Sequence, residues 1–173
     1  MSAQDPFLNL IAAFAAAGVR FVLIGVAGAN YYALSGSTIF TTEDYHLFLP
    51  AAADNALAAW QASESLGFHL WSGDEPLDLP RDRFLAEQIV ARRAQVHVTG
   101  QGLTVDLTMV MAGFDFDSVW PERRVFTIEG VEVPVARLSH IIASKAAAGR
   151  PKDRLFLATH EEALRSLLNE EQR

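Results

Sequence analysis

The chain has 173 residues, half of them hydrophobic and 20% charged, enough apolar material for a sizeable core and too much for a disordered chain. Its 14 Lys+Arg stand against 21 Asp+Glu, a formal net charge of −7, which argues against a protein that coats nucleic acid or an anionic membrane through bulk charge. With no cysteine, disulfides, Cys-ligated zinc, iron–sulfur clusters and thiol catalysis are excluded. The length fits a single domain, residues 1–173. The opening MSAQDPF lacks the pattern of a signal peptide, and no apolar run is long enough to cross a bilayer, so a cytoplasmic protein without a membrane partner is expected.

A first helix is predicted over 6–17, with Pro6 in the first turn, Phe7, Leu10, Ile11 and Phe14 at helical spacing, and Gly18 as its stop. Val19–Gly25 is a short apolar run ending at glycine, the pattern of a buried strand. A helix over Ala27–Leu34 follows, closed by Ser35-Gly36-Ser37. Asp44–Leu49 reads as a second strand ending at Pro50, and the alanine-rich stretch Ala51–Leu66 as a surface helix. Residues 72–82 are polar and carry prolines, which predicts a loop. Two hairpins are expected: Ala94–Thr99 with Leu103–Val110 across Gly100-Gln101-Gly102, and Val125–Ile128 with Val131–Val135 across Glu129-Gly130. One helix then runs from Leu138 to Gly149, and a second opens at Pro151 and continues towards the C-terminus. The fold class is α+β: a small mixed sheet with flanking helices and a C-terminal helical pair.

Neither standard phosphate loop is present, because Gly25-Val26-Ala27-Gly28 is not G-x-G-x-x-G and no Gly-Lys-Ser/Thr occurs. The five histidines, at 46, 69, 97, 140 and 160, are dispersed singly. The informative segment is Ile24–Leu49, where a strand ends in glycine, a short helix follows, and a second strand opens with Thr42-Glu43-Asp44-Tyr45-His46-Leu47. Alternation along a strand puts Asp44 and His46 on one face and Glu43 and Tyr45 on the other. A third carboxylate, Asp106, lies between Val105 and Leu107, and a buried charge there needs a partner, of which a metal ion is one kind. The plainer readings are a strand-start carboxylate at Asp44, a solvent-facing one at Asp106, and a half-buried structural imidazole at His46. The only two lysines, Lys145 and Lys152, fall with Arg150 and Arg154 in KAAAGRPKDR, four of the 14 basic residues within ten positions. Such a cluster suits phosphates, or else complements a helix dipole. Asp115-Phe116-Asp117 repeats the Asp-x-Asp spacing but follows Gly113, and reads as a helix cap.

Together these segments resemble the nucleotidyltransferase superfamily, specifically its small bacterial members, the minimal nucleotidyltransferases and abortive-infection type toxins. That pattern has a Gly-Gly or Gly-Ser turn opening a helix, an Arg-x-Thr-x-Asp-x-Asp strand and a later strand with a third Asp. Here these fall on Gly25-Val26, on Phe40 to His46 and on Val105-Asp106-Leu107, and GVEVPVARLSHIIASKAAAGRPKDRLFL is similar to the closing segment. The resemblance covers roughly residues 18–165. It implies Mg²⁺ or Mn²⁺ held by Asp44, His46 and Asp106, and an NTP bound by Gly25, Val26, Lys145, Arg150 and Lys152. A nucleoside monophosphate would pass to a hydroxyl of a small molecule, protein or RNA. A nucleotide and an antitoxin of a toxin–antitoxin or phage-defence system are the partners it implies. The chain departs from the pattern at four places: His46 for the second Asp, Val26 for the second Gly or Ser, Phe40 for the arginine and Phe156 for a later acid. Loss of one negative charge between two dications removes about 4 kcal/mol per close contact at a high effective dielectric. Weakened transfer and a non-catalytic binding or interaction module are therefore both expected readings, and an unrelated α+β protein with a fortuitous carboxylate pair is a third.

Overall fold

The computed structural model describes residues 5–33, 40 and 44–171. Asp5 opens the first helix, α1 (Pro6–Ala16), by accepting hydrogen bonds from the backbone N–H groups of Phe7 and Leu8, and Pro6 occupies the first turn. The chain then forms β1 (Val22–Ile24) and turns at Gly25 straight into α2 (Gly25–Tyr32). Gly25 has φ +72°, the left-handed region that an L side chain enters at a cost. After β2 (Tyr45–Phe48) come α3 (Ala53–Ser65), the short strands β3 (His69–Ser72) and β4 (Glu75–Pro76), and α4 (Arg83–Arg92), capped by Asp82. The hairpin β5 (Val96–Gly100) and β6 (Leu103–Thr108) is followed by a single-turn α5 (Phe116–Val119) and a second hairpin, β7 (Arg124–Ile128) and β8 (Val131–Val135). Three helices close the chain: α6 (Leu138–Ala148), α7 (Pro151–Thr159) and α8 (Glu161–Glu171).

The strands form one sheet in the order β4-β3-β5-β6-β2-β1-β8-β7. It is mixed, since β2 runs parallel to β6 and β1 parallel to β8 while the remaining neighbours are antiparallel. The parallel pairings follow from connections that carry a helix or a hairpin across a face rather than a tight turn. Side chains alternate across β2. Tyr45 stacks on Phe7 of α1, the rings 3.9 Å apart, whereas His46 faces the opposite side, where α6 and α7 lie. One layer is therefore α1, α3 and α4, and the other is α2 with α6, α7 and α8. Between the sheet and α1 sit Leu10, Ile11, Phe14, Leu23 and Leu47, all essentially without solvent contact. Gly28 brings α2 against its neighbours: a Cβ there would lie 3.0 Å from Ile141 Cδ1 of α6 and 3.1 Å from the Leu23 carbonyl oxygen of β1.

The α+β class and both hairpins agree with the sequence. Gln101-Gly102 and Glu129-Gly130 each have positive φ at both positions, the type I′ geometry that joins twisted strands through two residues. The sheet is not small, because β3 and β4 extend it to eight strands. The loop expected over 72–82 contains β4, and α4 follows it. The strand predicted over Val19–Gly25 is three residues long, and Gly25 and Val26 belong to α2 instead. The expected C-terminal pair is a trio, because the last helix breaks at His160. Leu34, the Ser35-Gly36-Ser37 breaker and Thr41 to Glu43 lie outside the described residues. Among the described residues no helix is long and apolar enough to cross a membrane.

Candidate functional site

Strand register does most of the work of assembling the site. Ile24 pairs with His46, His46 with Asp106, Asp106 with His97 and His97 with Trp71. Paired residues project to the same face, so one row across β3, β5, β6 and β2 carries Trp71, His97, Asp106 and His46. Asp106 is 7% exposed, and imidazoles flank it on both sides. His97 Nδ1 is hydrogen-bonded to its Oδ1, and His46 Nδ1 stands 3.4 Å from its Oδ2. A carboxylate has only acceptors to offer, so the His97 contact fixes Nδ1–H as the donor there. The buried charge expected at Asp106 thus has its partner, and that partner is a pair of histidines.

Gly25 lies near another edge of His46: a Cβ added to it would be 3.8 Å from His46 Cδ2. The imidazole therefore sits between the β6 carboxylate and the start of α2, with its side chain 40% exposed. Burial is the largest influence on it and pushes its pKa down; Lys152 and Lys145 push the same way, while Asp106 and Asp44 oppose them.

His46 and Asp44 open onto a cleft of about 650 Å³ whose walls include Gly25, Val26, Thr108 and Met111 together with Lys145, Arg150 and Lys152. The basic segment and the β2 segment, about a hundred positions apart in sequence, share this space. Asp106 does not line it. The α2 helix presents its N-terminus here with Ile24 at the N-cap, a residue whose side chain makes no cap hydrogen bond.

The three cations differ in role. Asp153 of α7 is 1% exposed, and Arg150 donates to it from Nε (2.6 Å) and Nη2 (3.3 Å), with Lys145 Nζ at 3.4 Å. Burial alone would raise the Asp153 carboxyl, but the Arg150 hydrogen bonds and the charges of Lys145 and Arg150 outweigh it and hold the pKa below the ordinary value. Burial lowers the Lys145 pKa, and Asp153 opposes that shift. Lys145 also lies 5.0 Å from the centre of the Phe156 ring. Lys145 and Arg150 are thus structural clamps between α6 and α7 as well as cleft-lining charges. Lys152 lines the cleft without an ion-pair partner among the described residues.

Phe40 and Phe156, the aromatic residues at two charged positions of the pattern, touch each other. Their rings are 5.3 Å apart edge to face, and His160 packs against both. Phe40 is buried, with its backbone held at both N and O by the Asn30 side chain. The Asp115 decoy is a cap: its side chain accepts the Ser118 N–H at 2.9 Å.

The donor set does not fit the pair of magnesium ions that the resemblance implies. Magnesium wants oxygen ligands in near-octahedral array, and a neutral imidazole at 46 is a poor substitute for a bridging carboxylate. Both Asp106 oxygens are turned to imidazoles rather than to the cleft. Among the described residues no group of three His, Asp or Glu side chains is placed to hold a metal ion. His97, which sequence reasoning left among the dispersed histidines, is part of this array. A signal for it existed: counting outward from the Gln101-Gly102 turn pairs residue 97 with residue 106. No family model matches the chain, and no curated protein matches it at a significant level.

Proposed function

We propose that the chain is a nucleotidyltransferase-type protein whose cleft takes a nucleotide by its phosphates, with transfer of the nucleoside monophosphate to a hydroxyl acceptor weakened by the histidine at 46. The observation that carries this reading is convergence: Asp44 and His46 at the start of β2, the N-terminus of α2, and Lys145, Arg150 and Lys152 all face one cleft. Anionic phosphate is stabilised at a helix N-terminus and by Lys and Arg donors. Val26 lines the cleft beside Gly25, and with histidine at 46 the β2 segment brings one carboxylate to it, Asp44 just before the strand.

The engagement of Asp106 by His97 and His46 favours a second reading, in which binding is kept and transfer is lost, so that the protein acts as a nucleotide-responsive interaction module. Pyrophosphate release from each of the four NTPs in Mn²⁺ separates the two. The first reading expects slow release by the native chain and faster release by His46→Asp, alone or combined with Val26→Gly. The assay includes RNA and a polyol as hydroxyl acceptors and scores label on the chain itself; if neither variant releases pyrophosphate from any NTP or labels any of these while remaining folded, the transfer reading is refuted.

A further inference from the structure

We infer that the cleft binds its phosphorylated ligand without a divalent cation, Lys152 and the outward N–H groups of Arg150 supplying the positive charge that a metal would otherwise bring. The inference rests on the reading of the cleft as a nucleotide site. It starts from the charges that face the space. Asp153 is neutralised from within by Lys145 and Arg150. Asp106 is withdrawn beneath His46 and His97. Position 46 brings a histidine and no carboxylate to the cleft. The acids that line the cleft among the described residues are Asp44 and Asp153, and Lys145 and Lys152 line the same space. A dication entering there would lose to those lysines much of what it gains from one carboxylate.

Phosphate oxygens meet the opposite balance. A guanidinium has five N–H donors, and Arg150 commits Nε and Nη2 to Asp153 while its side chain remains 58% exposed. Lys152, at the second position of α7, projects into the same wall. These two side chains and the N-terminus of α2 offer a phosphate group donors around one cleft. The apolar remainder, Val110, Met111 and Phe156, offers surface to the sugar and base.

The test is calorimetric titration of the full chain with ATP and with GTP, each in EDTA, in Mg²⁺ and in Mn²⁺, repeated with Lys152→Ala and His46→Asp. The inference expects a Kd in EDTA within about threefold of that in Mg²⁺. It also expects at least about a tenfold weakening by Lys152→Ala in EDTA, the equivalent of one charge-assisted hydrogen bond. His46→Asp should weaken binding in EDTA and make it respond to added metal. Binding by the native chain that appears only with Mg²⁺ or Mn²⁺ overturns the inference and leaves the nucleotide reading standing. Metal-free binding that Lys152→Ala leaves unchanged overturns the assignment of the charge to Lys152. An absence of binding under all three conditions overturns both the inference and the reading beneath it.

Discussion

Replacing Asp153 by alanine tests the joint between α6 and α7. The carboxylate is 1% exposed and takes a hydrogen bond from Arg150 Nε at 2.6 Å, and the Lys145 side chain, 13% exposed, lies 3.4 Å away. Removing the acid leaves Lys145 in a low-dielectric setting with Arg150 and Lys152 as its charged neighbours. Breaking a buried pair by deleting one partner costs about 3–5 kcal/mol. A chain of this size loses about 2–4 °C per kcal/mol, so thermal unfolding should come about 6–20 °C earlier. Asp153→Asn keeps the shape and one acceptor and should cost less. In a Lys145→Met background the Asp153→Ala loss should shrink by about 1 kcal/mol or more, because the cation it would strand is gone. The pH dependence has a definite sign. The folded pKa lies below the ordinary carboxylate value of about 3.9, so this stabilisation is present above that value and is lost as pH falls through the lower folded one. Asp153→Asn should flatten that acid limb. Scanning calorimetry or circular dichroism reads all of this, and a shift under about 2 °C for Asp153→Ala would refute the account of the clamp.

Three further predictions follow from the same kind of geometry. Gly28→Ala should destabilise by about 1–2 kcal/mol net of the gain in helix propensity, because the Leu23 carbonyl that meets the new Cβ is held by the Ala136 N–H at 3.0 Å; denaturant unfolding measures it, and a stabilised variant would show that α2 can shift. Tyr32→Phe should cost about 1–3 kcal/mol by stranding the buried Ala136 carbonyl, which the Tyr32 hydroxyl reaches at 2.8 Å; a midpoint unchanged in urea would contradict this. Because the folded His46 pKa is depressed, its neutral form contributes stability that is complete above the unfolded value of about 6.5 and lost as pH falls below it. Stability of the native chain should decline between pH 7 and 5 more steeply than that of His46→Gln, and parallel curves would remove His46 as the cause.

Much of the architecture could be read from local chemistry. The two Gly-containing turns fixed both hairpins, Pro151 after Gly149 marked a helix boundary, and Asp115 carried the marks of a cap. Residues 69–92 could not be read in the same way. β3 is four residues long and β4 two, too short to show alternation, and α4 buries only Ala86 and Ile89. The candidate site was legible in part. Asp44, His46 and the basic segment do share a cleft, and Asp106 does lie beside His46. The partner of Asp106 was missed because His97 is an ordinary residue in its own sequence neighbourhood and gains meaning only through pairing. Likewise, nothing local to Lys145 or Arg150 says that Asp153 engages them first, since that depends on how α7 folds back on α6.

The contact between Phe40 and Phe156 makes the two positions unequal in what a charge would cost there. An acid introduced first at 156 would arise beside Lys145, which now sits 5.0 Å from that ring, and would find a cation waiting. An arginine introduced first at 40 would be buried against Phe156 and His160, a desolvated charge with aromatic rings for company, at a cost of several kcal/mol. The two single steps are therefore unequal, and the order 156 before 40 is the passable one.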